Sequence, residues 1–572
     1  MKIGSSGKSA QFMLKTLSNS RVLLIASVAS LIYFARPIQA YTPTKELCDG
    51  LPKLPVESMQ GTCLSLIAQK SPDSNFVKPR KAVEVRPGFS LLVTDMGGWI
   101  DKRGVLWQLQ FMGGSPFSGP VKVSKVLTGL SLPHGIRIGP DGFIYLGEAH
   151  QITRFRFIDG QVEDHQVVVS NLPYEEGRHA HPLTEFLFLK KKDLLINAGS
   201  KTDDCRQELK TGGCHEAQQT GLRQYTYIPE SNAWSSTYKM YATGLRNSMA
   251  IAQHQSGVIL QAENSSDIPD ADEPYEEINL IKENGFYGWP YCLNRKYSYI
   301  NVDDACSMEN YHEPYTLMPP HVAPLDMAYY THDYFPQLHN TLLVSWHGYR
   351  PVGNRLVAYQ IDDQGLPKLT KKPTFMLNPV APGDEFTQHM FTPKGGMKNG
   401  EEEAQHVEII SKWNKVANLR PKGAPVGILT LSDGSLLIID DRNQAILRLA
   451  KGIPYQDKKA APELSTVNKK VNTVEFRFSG KVKETLLSHC ANCHTELHEN
   501  PQSILNAQQG WLKLDNNTTR LEQRLKSKSR PMPPSGPLND ALIQLVSEAI
   551  KTSPDVTIQH PAKAYCCNFE PL

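Results

Sequence analysis

Between Gly88 and Ala450 one pattern recurs six times, and it restricts the fold more than any other feature of the chain. Each copy is a polar turn, an apolar strand, a few loop residues, then a second strand ending in alternating large side chains. The copies run Gly88 to Phe111, Gly139 to Phe157, Lys192 to Tyr227, Gly257 to Ile281, Asn340 to Ile361 and Ser432 to Ala450. An isolated hairpin is barely stable in water, whereas blades closed into a ring bury each other's apolar faces and leave only short edges. Each copy therefore reads as the inner hairpin of one blade, and the pattern predicts an all-β six-bladed β-propeller over residues 41–455. The copies stand roughly 50 to 85 residues apart, which implies long loops on one face, free to form a site. A pair of β-sandwiches is the competing architecture.

After Tyr455 the character changes. A lysine-rich linker (456–473) leads to a segment of helical periodicity, 474–553, and a tail, 554–572. This segment predicts a small all-α domain. It carries Cys490-Ala-Asn-Cys493-His494, in which two thiols at i and i+3 add to the vinyl groups of a haem and His494 becomes the proximal iron ligand. A zinc ribbon is the structural rival, but no second C-x-x-C follows at suitable spacing. Met532, in the proline-stiffened run RPMPPSGP, is the expected distal ligand, with His498 as the alternative. Motif and loop together resemble the class I cytochromes c, which implies a covalent haem c suited to receiving electrons.

The N-terminus points to export. Lys15 and Arg21 precede an apolar run from Val22 to Phe34, and Pro37 to Ala40 ends in the small residue that signal peptidase prefers. Residues 1–40 read as a signal peptide cleaved after Ala40, which places the chain in a periplasm. An uncleaved anchor is the alternative, although the run is short for a span of about 20 residues. Cysteine usage agrees with an oxidising compartment: Cys48 and Cys63, Cys205 and Cys214, and Cys292 and Cys306 form near pairs, while Cys566 and Cys567 are adjacent. Spacing leaves their connectivity open, and buried free thiols are the plain alternative. A net charge of +3 gives no argument for nucleic acid as a partner.

The stretch Gly244 to Cys292 contains Gly-Leu-Arg246-Asn247, an acidic loop, Glu277-Ile-Asn279 and Gly285-Phe-Tyr-Gly-Trp-Pro290. It resembles the quinoprotein sugar dehydrogenases: soluble glucose, aldose sugar and L-sorbosone dehydrogenases. His347-Gly-Tyr-Arg-Pro-Val-Gly-Asn-Arg355 looks like a second motif of that family, and Gly423 to Asp441 like its last-blade motif. The resemblance runs from about Arg86 to Leu449 and implies a propeller that binds pyrroloquinoline quinone (PQQ) with Ca²⁺ at one mouth of its channel. It also implies a histidine that takes the substrate hydroxyl proton as hydride leaves. That division of labour is chemically sensible, because imidazole is tuned to accept a proton near neutral pH, a divalent cation polarises a carbonyl and arginines neutralise carboxylates.

Carried over residue by residue, the resemblance makes His181 the base, with His179 and His134 as rivals, and a lone turn histidine is often structural. Arg246 and Asn247 match the pair that contacts the cofactor, against the plainer reading of a turn Arg and a turn Asn. Calcium would be held in the loop around Asn264, Ser265 and Ser266, with Glu263 or Asp267 available, although a solvated acidic loop looks the same. Three departures stand out: Ala424 where the family has Arg before Pro-Val-Gly, Glu185 where related sequences often have Arg, and Ser248 in place of Pro. Lys422, Arg420 or Arg355 are the available substitutes for the lost guanidinium, but a lysine does not reproduce a bidentate fork. The expected protein is a periplasmic PQQ-dependent dehydrogenase of a sugar or other alcohol or aldehyde. It would pass electrons to its own haem and on to a soluble cytochrome or respiratory oxidase. The other readings are a lactonase-like hydrolase and a non-catalytic scaffold that carries the cytochrome.

Overall fold

The computed structural model describes residues 41–455, apart from 210–212, 269, 271, 299–304, 308–309, 349–351, 378–386, 411–412 and 414–422, together with 514–515, 518–519 and 544. The described chain is a six-bladed propeller with almost no helix. Blade one is the four-stranded sheet Pro79–Arg86, Ser90–Asp95, Gly104–Phe111 and Val121–Leu130. Blade two runs Ile136–Ile138, Ile144–Glu148, Gln151–Ile158 and Gln161–Val169. Blade three runs Phe186–Phe188, Leu194–Ala198, Gly221–Tyr225 and Lys239–Thr243, with Gly285–Phe286 added at its outer edge. Blade four is Ala250–Gln253, Ile259–Glu263, Tyr275–Leu280 and Thr316–Pro320. Blade five is Pro324–Tyr330, Thr341–Trp346, Arg355–Gln360 and His406–Ile410.

The sixth blade closes the ring. Pro425–Thr430, Leu436–Asp440 and Ala445–Lys451 come from the end of the propeller, but the outermost strand, Thr62–Gln69, comes from its beginning. The six hairpins legible in the sequence are the second and third strands of the six blades. Those strands lie between neighbouring blades and are apolar on both faces, so Leu194–Ala198, Ile259–Glu263, Thr341–Trp346 and Leu436–Asp440 are buried throughout. Outer strands face water, as the largely exposed Gln161–Val169 does, and carry no comparable signal.

Packing between blades makes the core. Leu343, Leu356 and Ala358 of blade five meet Leu436, Ile438 and Leu447 of blade six, with Leu64 of the closing strand in the same cluster. Leu91, Val93 and Leu109 of blade one meet Leu437, Ile439 and Ile446 from the other side of blade six. Turn chemistry sets the strand ends: Gly434, at φ +87°, lies where a Cβ would stand 2.1 Å from His332 Nδ1. The three expected cysteine pairs are disulfides: Cys48–Cys63, Cys205–Cys214 and Cys292–Cys306. Among the described residues no helix is long and apolar enough to cross a membrane. The haem motif, Met532, the apolar leader and Cys566–Cys567 lie outside the described residues.

Candidate functional site

Antiparallel blades sort their connections by face. The linkers between blades and the turns between second and third strands share one end of the ring, because that is where first strands begin and second strands finish. His181 lies in the linker from Val169 to Phe186, and Arg246 and Asn247 in the linker from Thr243 to Ala250. Ser265 and Ser266 lie in the turn from Glu263 to Tyr275, and Arg355 begins the third strand of blade five. The topology therefore brings all of them to one mouth of the channel. Lys422 and Arg420 lie outside the described residues.

His181 is part-buried, and its Nδ1 meets Ser200 Oγ at 2.8 Å and Ser200 O at 3.0 Å. Ser200 Oγ already donates its proton to Thr202 O (2.6 Å), so the network assigns the imidazole proton to Nδ1 and leaves a lone pair on Nε2. Burial, reinforced by the Arg246 guanidinium, holds this imidazole well below its ordinary pKa, so it is neutral at neutral pH. Its rivals are more deeply buried, and each has its second ring nitrogen, His179 Nδ1 or His134 Nε2, enclosed without a hydrogen-bond partner. His179 is buried with Nε2 donating to Gly199 O (3.1 Å), and His134 is fully buried with Nδ1 accepting from Arg80 Nε (3.1 Å).

Gly199 is what lets the His181 segment lie so close to the sheet. A Cβ there would stand 2.4 Å from His181 O and 2.7 Å from His181 Cβ. We expect Gly199→Ala to fold but to push His181 out of register and to cut turnover by about 10²-fold, the order of loss that a 1 Å misplacement brings. Steady-state rates alongside circular dichroism check this, and an unchanged rate would detach His181 from catalysis.

Arg246 is buried and knits the mouth together: Nε donates to Asp203 O (3.1 Å), Nη1 to Asn264 O (2.9 Å), and Nη2 pairs with Asp203 Oδ1 in a short contact. The backbone N–H of Asn247 donates to Glu263 Oε1 (2.7 Å), while its side-chain Oδ1 is a buried acceptor with no donor. Ser265 Oγ donates to Tyr275 O (3.0 Å) and Ser266 Oγ to Asp203 O (3.3 Å). The orphaned Asn247 amide oxygen is the feature that fits a hard cation, since the Asp267 carboxylate is paired with Arg246 Nη2 at 3.8 Å and the Ser265 and Ser266 hydroxyls point their protons at carbonyls. Arg355 is buried against its own blade: Nε donates to Glu408 Oε1 (2.7 Å) on the outermost strand and Nη1 to the carbonyls of Val352 and Gly353, so it pins its own turn.

At the same end of the ring lies a buried ion network, drawn from several blades, that no local sequence pattern marks. Glu185, fully buried, pairs through Oε2 with Lys81 Nζ (2.7 Å) and through Oε1 with Arg137 Nη2 (2.9 Å). Lys81 also meets Asp326 Oδ1 at 2.6 Å. Arg80 Nη1 pairs with Asp441 Oδ2 (2.6 Å), and the other oxygen of Asp441 accepts from His347 Nε2 (2.7 Å). Three cations, Arg80, Lys81 and Arg137, balance three carboxylates, Glu185, Asp326 and Asp441. Burial pushes the Glu185 carboxyl up, but Lys81 and Arg137 outweigh it and hold it below the usual range.

Buried titratable groups give stability a pH optimum. Burial pulls His347 down to about 4 and His406 to about 3, so the stability they contribute is whole above the ordinary value of 6.5 and is lost as pH falls from there through the folded values. Burial pushes Glu263 up to about 7 and Glu276 to about 8, so their contribution is whole below the ordinary 4.5 and is lost as pH rises through 7 to 8. The thermal midpoint, measured by calorimetry at constant ionic strength with chelator, should therefore be highest between about pH 4.5 and 6.5, where the two effects offset each other, and fall on both sides. A flat profile would mean that water reaches these groups.

A family model described as Glucose / Sorbosone dehydrogenase matches residues 136–364, which contain His181, Arg246, Asn247, Ser265, Ser266 and Arg355. An uncharacterized protein of Borreliella burgdorferi is 27% identical over 219 residues, 37% of this chain and 48% of that protein, so the match spans about half the relative's length. Among solved structures, the holo form of the pyranose dehydrogenase PQQ domain from Coprinopsis cinerea is 17% identical with a TM-score of 0.50, covering 70% of this chain and 99% of that one. That likeness shows the shared propeller fold. The PQQ-bound form of aldose sugar dehydrogenase from Streptomyces coelicolor is 13% identical with a TM-score of 0.42, covering 69% of this chain and 99% of that one.

Proposed function

We propose that this chain is an exported, PQQ- and Ca²⁺-dependent dehydrogenase that oxidises a sugar or other alcohol or aldehyde and delivers the electrons to a haem c on its own C-terminal segment. One observation supports the reading above the others: a neutral imidazole, His181, with a bare Nε2, at the same mouth as the oxygen-rich loop at Ser265 and Ser266. PQQ, when bound, supplies a two-electron acceptor, and calcium a Lewis acid that polarises it.

The protein's own residues do the rest. His181 Nε2 accepts the substrate hydroxyl proton, while Ser200 fixes the ring and its tautomer. Arg246 and Asn247 hold the cofactor side of the mouth, with Lys422 as a further cation for a carboxylate, and the oxygens of Asn247 and of the Ser265–Ser266 segment hold calcium. Arg355 keeps the neighbouring turn in place through Glu408. The buried ion pairs of Lys81 with Glu185 and Asp326 keep fixed charges close to the linkers of this end of the ring. Cys490 and Cys493 would bind the haem and His494 and Met532 would ligate its iron. Attachment to the same chain gives the acceptor a high effective concentration.

The test is to express the full chain in a periplasm competent for haem attachment, add PQQ and Ca²⁺, and follow the haem absorption band on addition of aldoses, alcohols and aldehydes. Reduction that needs both PQQ and a substrate is the expected result. Properly folded, haem-loaded protein that takes up no PQQ would overturn the reading and favour a scaffold. Turnover of a lactone without quinone would favour the hydrolase.

A further inference from the structure

Tyr41 directly follows the expected cleavage point and has no exposed surface. Its backbone N–H donates to Gln69 Oε1 (3.1 Å) and its carbonyl accepts from Gln69 Nε2 (3.0 Å), which ties it to the strand that closes the ring. Its ring sits in the core shared by blades five and six. Its phenol reaches the turn that leaves the second strand of blade six. There it donates to Asp440 Oδ2 in a short hydrogen bond and accepts from Trp413 Nε1 (2.8 Å) and Asn443 Nδ2 (3.2 Å). One donor and two acceptor positions are all that a phenol has, and all three are used.

The same turn is braced from within, as Asn443 donates to both oxygens of Asp440, through N–H at 3.1 Å and Nδ2 at 2.6 Å. The residue between these partners and the mouth is Asp441, whose two oxygens hold His347 and Arg80. We infer that Tyr41 is a positioning residue for the mouth: through Asp440 its phenol sets the turn 440–443, and with it the place of Asp441 and the orientation of the His347 imidazole. The last turn of the site is thus held by a residue from the segment that precedes the closing strand. Burial, together with the adjacent Asp440, pushes the phenol well above its ordinary pKa, so it stays protonated and keeps donating.

A matched control exists in the same core. Tyr330 is equally buried, but its phenol donates to Gly434 O (2.7 Å), in the turn at the opposite end of blade six. The inference rests on the mouth being the reaction site, yet its test needs neither quinone nor turnover. In the full chain, selectively ¹⁵N-labelled at histidine, the proton that His347 Nε2 donates to Asp441 is followed by NMR and identified by its loss in His347→Gln. Tyr41→Phe is expected to speed its solvent exchange by about tenfold or more, while Tyr330→Phe leaves it within about twofold. Equal acceleration in both variants, or none in Tyr41→Phe, would overturn the inference. Should Tyr41→Phe fail to fold, Trp413→Phe removes one donor to the phenol and is read by the same signal and the same criterion. Failure of the wild-type protein to bind PQQ would sink the dehydrogenase reading and leave this result standing.

Discussion

His181→Ala is expected to lower kcat by roughly 10²- to 10⁴-fold, the usual contribution of a positioned general base, with PQQ affinity little changed. The assay is PQQ- and Ca²⁺-dependent reduction of a soluble dye, run beside a quinone-binding titration. The physical ground is the tautomer: Ser200 takes the proton side of the ring, so removal of the imidazole removes a lone pair on the part-buried histidine of this segment, whereas that on His179 Nδ1 is enclosed. A pH signature accompanies the loss. Because burial and Arg246 depress the His181 pKa, the wild-type rate should hold level through pH 6.5 and fall only at lower pH, and that acid limb should vanish in the variant. An unaltered rate would move the base to another group, with His347 the first to test because Asp441 orients it and it is held neutral as well.

Glu185→Ala should destabilise the folded protein by about 3–5 kcal/mol, the loss typical of removing one partner from a buried ion pair. The substitution leaves Lys81 and Arg137 facing a channel from which their shared carboxylate has gone. Lys81→Met in the same chain should restore only part of the loss, because Asp326 then has no ammonium opposite it. Urea unfolding of the two single variants and the double variant measures the coupling. A loss below about 1 kcal/mol would mean that the network is hydrated, as surface pairs are.

Glu185 also shows where reading the chain alone stops. In the sequence it registers as a departure, an acid where related chains often have arginine. In the fold it is the hub of a buried ion network whose cations come from blades one and two, more than forty positions away along the chain. Lys81 and Asp326 carry no local mark of pairing, since nothing within their own strands predicts that the two will stand 2.6 Å apart. His347 and Asp441 are the same case. Each lies in a segment that resembles a family motif, but the contact between them needs the ring to be closed.

Closure itself was the other gap. The closing strand Thr62–Gln69 has no hairpin partner near it in sequence, so the repeat count found six hairpins and missed the strand that joins the ends. The first and fourth strands of the blades escaped for a related reason. Some line a polar channel and others face water, so neither set shows the continuous apolar run that makes the middle strands visible.

What the sequence alone determined is therefore local or periodic: six apolar hairpins and hence the number of blades, the cysteine pairs close enough along the chain to meet, and the short motifs that mark His181, Arg246 and Asn247. The tertiary structure decided which of the three histidines is only part-buried, which cations Glu185 demands, and how Tyr41 reaches the turn beside Asp441. Those are properties of charges and hydrogen-bond donors brought together across blades. A one-dimensional pattern records the period that builds a ring but not which side chains meet at its axis.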